Sequence, residues 1–110
     1  MEFSKIIKVP NDQSYILDDD VKIYSLRDTG FVEKGNGWLL LRSLQPNILV
    51  SEAVSLKILI NKELKLMKLE IVGPSGLPID LEQRDDWLDL LDQLHEITED
   101  LEKRAVLKIS

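Results

Sequence analysis

The apolar positions of the chain change period along its length, and the changes divide it into elements. In "FSKIIKV" (3–9), Phe3, Ile7 and Val9 lie on one side of an alternation, which predicts a strand. "PNDQS" breaks it, and "YIL" (15–17) resumes an extended path. "DDD" at 18–20 is a helix-start signal, because a carboxylate accepts from the free amides of a first turn. The helix it opens is expected from about Asp20 to Asp28, with Val21, Ile23, Tyr24 and Arg27 at roughly helical spacing. Gly30 follows where a left-handed residue commonly closes a helix, since glycine carries no Cβ to clash there.

Period two then returns. "FVEK" and "WLLLRSL" flank "GNG" (35–37), a hairpin turn that needs positive φ, and Pro46 stops the second strand. "QPNILVSEA" is apolar enough to pack rather than wave. "VSLKILINK" and "LKLMKLEIV" form the next strand pair, joined near "NKE". Val54, Leu56, Ile58 and Ile60 share one face of the first, and Met67, Leu69 and Ile71 one face of the second. "GPSG" (73–76) is a turn. From Trp87 the period becomes helical: Leu90, Leu91, Leu94, Ile97, Leu101 and Ala105 form one stripe, with Asp85, Asp89, Asp92, Glu96, Glu99 and Asp100 opposite. Asp80 with Gln83, or Asp85 and Asp86, can start this helix, and Lys103 and Arg104 suit its end. "VLKIS" is left as a short tail that docks.

The element order is strand, helix, four strands, long helix. Short connections make the middle strands antiparallel. The fold class is therefore α+β: a two-layer sandwich, with an antiparallel sheet of about five strands and two helices on one face. The absence of an internal repeat, linker or low-complexity tract makes 1–110 a single domain. The same order occurs in the TATA-binding-protein-like topology, an analogy that concerns fold and carries no function.

Charge narrows the partners. The net charge of -6 comes wholly from residues 80–110, since the acids and bases of 1–79 balance. No basic cluster exceeds Lys103-Arg104, so there is no stripe to displace counterions from nucleic-acid phosphates, and nucleic acid is not expected as a partner. No apolar run approaches the ~18 residues of a membrane span, and the N-terminal segment does not read as a signal peptide. The chain has no cysteine, which excludes a thiolate nucleophile, a persulfide carrier and a cysteine-type zinc site, and suits a cytoplasmic location.

Few residues carry candidate chemistry. No G-x-S-x-G elbow or phosphate-loop spacing occurs, so no catalytic residue is assigned. No cofactor is assigned either. "DDD" lacks the spaced ligands, glycine and closing glutamate of a calcium loop, and His95 is a lone histidine beside the apolar stripe, so no metal site is expected. Asp28, near a helix C-terminus where negative charge is disfavoured, should seek a cation, with Arg27 adjacent and Arg42 across the hairpin. The first reading of Arg27, Asp28 and Arg42 is a fold-fixing ion pair; the alternative is an arginine pair that binds a carboxylate or phosphate.

Strand 38–44 is apolar on both faces, with Trp38, Leu40, Arg42 and Leu44 on one and Leu39, Leu41 and Ser43 on the other. Two helices cover only one face. The other is left to the 47–50 connection, a second copy in a weak homo-oligomer, or a partner. Trp38, Leu40, Arg42 and Leu44 have the composition of an interface hot spot if theirs is the open face. Asp89, Asp92 and Glu96 are either a solvated helix face or a docking surface for a basic partner.

"DDVKIYSLRDTGF" (19–31), "LLRSLQP" (40–46), "LKILINK" (56–62) and "GPSGL" (73–77) resemble an uncharacterised family of small proteins from low-GC Gram-positive bacteria, over nearly the whole chain. The resemblance implies a small α+β domain with helices on one side of an antiparallel sheet. It also implies a tie to amino-acid or sulfur metabolism, through genes near cysteine desulfurases, and brings no catalytic residues. Without cysteine the chain cannot receive a persulfide. An accessory or interaction protein is therefore expected, with a sulfur-metabolism enzyme as the partner; the alternative is a small anionic-metabolite-binding domain or weak enzyme using Arg27 and Arg42.

Overall fold

The computed structural model describes residues 4, 6–8, 14–45, 47–49 and 52–109. The expected strand positions Phe3 and Val9, the strand stop Pro46 and the connection residue Val50 lie outside the described residues. In chain order the elements are β1 (Ile6–Lys8), β2 (Ser14–Leu17), α1 (Ile23–Asp28), β3 (Val32–Lys34), β4 (Gly37–Ser43), β5 (Ser55–Asn61) and β6 (Met67–Val72). A 3₁₀ turn (Leu81–Gln83), α2 (Trp87–Lys103) and β7 (Leu107–Ile109) complete them.

The architecture is α+β, with antiparallel strands throughout and a long helix near the C-terminus. The strands form two sheets, in the orders β1-β2-β7 and β3-β4-β5-β6. The expected sheet of about five strands is thus divided. The resumed strand at 15–17 pairs on one side with β1, and on the other with β7, the tail expected only to dock. Among the described residues one bridge joins the sheets: the Ser4 amide donates to the Met67 carbonyl at 2.8 Å and the Ser4 carbonyl accepts from the Met67 amide at 2.9 Å.

Alternation in β4, β5 and β6 sorts their side chains between two faces. Across the sheet, Trp38, Ile60 and Met67 form one row and Leu40, Ile58 and Leu69 the next, all buried. These residues share one apolar cluster with Leu26 of α1, with Leu90, Leu94, Ile97 and Leu101 of α2, and with Tyr15 and Leu107 of the three-stranded sheet. Each fully buried Leu or Ile contributes roughly 1.5–3 kcal/mol relative to exposure, so this cluster is the main stabilising term. Inside it the Tyr15 hydroxyl meets Thr98 Oγ1 at 3.3 Å, and that hydroxyl in turn donates to the His95 carbonyl at 3.1 Å. Buried hydroxyls of this kind are hydrogen-bonded as a rule, and these two meet that requirement within the core.

The β3–β4 hairpin has a two-residue loop, Gly35-Asn36, with Lys34 opposite Gly37. Gly35 has φ +56 and Asn36 is not among the positive-φ residues, the pattern of a type II′ turn. Gly37 is needed for a different reason: a Cβ there would run into the Ile60 carbonyl oxygen. Helix α1 begins later than "DDD" suggests. The Asp18 carboxylate accepts from the Asp20 amide at 2.8 Å, which makes a local turn, and Lys22 is extended at φ -127, ψ 152. An aspartate that bonds two residues ahead stabilises a turn and competes with helix initiation.

Candidate functional site

Arg27, Asp28 and Arg42 do not form one cluster. Arg27 lies over the Trp38 ring, its guanidinium carbon 5.7 Å from the ring centre. That stacking draws the cation to the electron-rich ring face and shields one side of the tryptophan. Asp28 finds its cation outside the hairpin, in Arg104 beyond the end of α2, at 3.8 Å. Arg42 is exposed, without an ion pair or hydrogen bond of its side chain among the described residues. It stands four residues beyond Trp38, about 13 Å along an extended strand. The two guanidiniums therefore do not converge as a fork around one anion.

The two faces of β4 are also reversed from the interface expectation. Trp38, Leu40 and Leu44 are 5%, 1% and 2% exposed, so they belong to the core face and are not a docking patch; of the four expected interface residues only Arg42 reaches solvent. The sequence parity is right, and the choice of covered face is corrected by the packing of both helices against it. The open face carries the other parity. Val32, Leu39 and Leu59 lie in one row across β3, β4 and β5, with Leu41 in the next row opposite Lys57. Val32 is 57% and Leu41 53% exposed, and Leu39 and Leu59 are half-buried.

Near the β6 end of this open face is a hollow of about 230 Å³, where Leu39, Leu41 and Val72 meet Lys34, Lys57 and Ser55. Neither lysine has an ion pair or hydrogen bond of its side chain among the described residues. Glu70, opposite Lys57 in the β5–β6 register, pairs with Lys68 at 3.1 Å. Sequence reasoning missed these residues because Lys34 and Lys57 are 23 positions apart in the chain. Their common face becomes visible only once the β3–β4–β5 register is known.

Asp89, Asp92 and Glu96 are exposed on α2, as the helical period predicts. Asp89 and Asp92 line a groove of about 370 Å³ with Asp86, Gln45, Leu44 and Ile48. One wall of this groove is a lock that the sequence did not reveal. Arg84 grips Asp86 through Nε at 2.9 Å and Nη2 at 3.2 Å, and Gln45 Nε2 donates to the same carboxylate at 3.3 Å. Gln45 Oε1 accepts from the Val54 amide at 2.7 Å, so one side chain ties α2 to the residue leading into β5. The hydrogen bonds from Arg84 hold the Asp86 carboxyl below its ordinary pKa, and Asp86 raises that of Arg84 in return. Among the described residues, no group of three His, Asp or Glu side chains is placed to hold a metal ion. None of the helices is long and apolar enough to cross a membrane, again among the described residues.

The chain belongs to the DUF1831 family, a domain family of unknown function assigned provisionally to amino acid metabolism, whose model matches residues 1–108. It is similar to a DUF1831 family protein of Lactobacillus plantarum, known from a crystal structure, with 27% sequence identity and a TM-score of 0.86. That similarity covers 100% of this chain and 99% of the other. No curated protein matches.

Proposed function

We propose that the protein is a non-catalytic accessory of amino-acid metabolism in the cytoplasm, and that it acts by docking a protein partner on the open face of the four-stranded sheet. The observation that carries this reading is the apolar row Val32, Leu39 and Leu59 with Leu41 beside it, on a face that neither helix covers. Two copies facing each other through this patch would bring the unpaired Lys34 and Lys57 of each together, while the neighbouring Glu70 is already engaged by Lys68. Like charges in an interface cost affinity, so a partner that presents apolar and acidic groups fits better than a second copy. A cysteine desulfurase is the partner to test first. The chain has no cysteine on which to carry sulfur, so its contribution there is binding rather than relay.

The reading in which Arg27 and Arg42 bind an anionic metabolite gains no support, because Arg27 stacks on Trp38 while Arg42 stands apart. The docking test uses the purified protein with a purified cysteine desulfurase from the same organism, followed by size-exclusion chromatography with light scattering. The expected result is a complex that Leu41→Lys abolishes, without change in the melting curve, since Leu41 is 53% exposed. A complex that survives Leu41→Lys but not charge reversal at Asp89, Asp92 and Glu96 would move the docking site to α2. The absence of any complex would remove the desulfurase as partner.

A further inference from the structure

The hollow beside Leu41 lies within the docking patch and adds Ser55, Val72 and Pro74 to it. Its apolar lining comes from Leu39, Leu41 and Val72, with Pro74 beside them. Lys34 and Lys57 reach it from β3 and β5, the two strands that flank β4. Neither has an ion pair among the described residues, and Glu70, the cross-strand neighbour of Lys57, pairs with Lys68. Ser55 is only 6% exposed, lines the same hollow, and its hydroxyl has no hydrogen-bond partner among the described residues. The Ser55 hydroxyl opens into the hollow and can donate to a ligand oxygen there.

We infer that this hollow is a binding site for a small apolar monocarboxylate without an ammonium group, of the size and shape of a branched-chain 2-oxo acid. The carboxylate is held by the two ammonium groups and the Ser55 hydroxyl, as charge-assisted hydrogen bonds. The alkyl part covers Leu39, Leu41 and Val72. At about 230 Å³ the hollow is smaller than the roughly 300–1,000 Å³ of sites for drug-sized ligands, so the ligand has few carbons. No carboxylate lines the hollow, so the ammonium of a free amino acid would face the two lysines without a counter-charge. Inorganic phosphate would leave the leucines uncovered. The site shares Leu41, Lys34 and Lys57 with the docking patch, so ligand and partner would compete there; the inference goes beyond the docking reading and does not depend on it.

The test is an amide-shift titration of the ¹⁵N-labelled full chain with 4-methyl-2-oxopentanoate, compared with L-leucine, 3-methylbutan-1-ol and inorganic phosphate. The oxo acid should give saturable shifts at Leu39, Leu41, Ser55, Lys57 and Gly73. L-Leucine should bind at least about fivefold more weakly, and the alcohol should not saturate. Lys34→Met, Lys57→Met and Ser55→Ala should each weaken the oxo acid by roughly three- to tenfold with the remaining spectrum preserved, whereas Lys62→Met should not. Lys34 is exposed, so its variant keeps the test valid even if Lys57→Met perturbs the sheet. Absence of saturable shifts at these residues would overturn the inference, as would equal binding of L-leucine or of phosphate. A failed desulfurase complex leaves these titrations unaffected, so the two readings fail separately.

Discussion

Helices α1 and α2 close with the same hydrogen-bond pattern although one uses glycine and the other alanine. At the end of α1, the Phe31 amide donates to the Leu26 carbonyl at 2.9 Å and the Gly30 amide to Arg27 at 3.2 Å. At the end of α2, Val106 donates to Leu101 at 2.9 Å and Ala105 to Glu102 at 3.2 Å. Both are the paired closing bonds of a Schellman motif, and the residues joined by the longer-range bond, Leu26 with Phe31 and Leu101 with Val106, all belong to the buried core. Gly30 has φ +102, which glycine adopts freely, while Ala105 is held at φ +58 against the clash of its own Cβ. The difference teaches where the second stop comes from. Val106 is fully buried, its carbonyl accepts from the Asp18 amide at 2.9 Å, and the next residue begins β7. Sheet pairing holds the second end in a conformation that its sequence disfavours.

The starts of the two helices differ as well. Neither has a side-chain cap. Helix α1 begins after an extended lysine. Helix α2 begins after Asp86, whose carboxylate serves Arg84 and Gln45 instead of the first turn.

Exchange of the two closing residues should give the largest effects. Gly30→Ala should destabilise by about 1 kcal/mol, because a Cβ there meets only the tip of Leu40 and the cost is conformational. Ala105→Gly should stabilise by about 0.5–1 kcal/mol, the relief of strain exceeding the entropy of a freer unfolded chain. Urea unfolding reads both. Equal signs for the two would break the comparison, since it requires one end to be relaxed and the other strained.

A smaller effect belongs to the start of α2. Arg84 holds the folded Asp86 carboxyl below the ordinary value of 3.8, so its contribution is present above that pH and is lost as pH falls through the lower folded value. The difference in urea midpoint between the parent protein and Asp86→Asn should therefore be constant near about pH 6 and shrink towards about pH 3. A difference that grows on acidification would show that the lock does not depend on the Asp86 charge.

The smallest effect joins the two ends directly. Asp28 and Arg104 are both more than half exposed at 3.8 Å, so their coupling in a double-mutant cycle should be only a few tenths of a kcal/mol and should fade in salt. A coupling above about 1 kcal/mol would mean that the ends are closed together rather than separately.

Much of the fold was legible in single residues. Gly30 marked a helix stop, "GNG" a hairpin, and the spacing from Leu90 to Leu101 the inner stripe of α2. Local rules misplaced the start of α1, where Asp18 turned the chain first, and missed β7, which forms by pairing with distant β2. The candidate site was less legible. Arg27 and Asp28 are neighbours in sequence, yet one went to Trp38 and the other to Arg104, because direction from the backbone outweighs adjacency. Lys34, Ser55 and Lys57 gave no signal at all, since nothing in a charge at an alternating position says what lies across the next strand.

By itself the sequence determined the kind of the long elements, though not that the tail is strand β7, and which residues of β4, β5, β6 and α2 share a face, because both follow from backbone periods of 2 and 3.6. The tertiary structure decided which face of β4 is covered, and with it the fate of Trp38 and Leu41. It also divided the strands between two sheets and held Ala105 in a left-handed turn. Those outcomes rest on contacts between distant residues, such as Tyr15 with Thr98 and Leu17 with Leu107, whose free energy no local window of the chain contains.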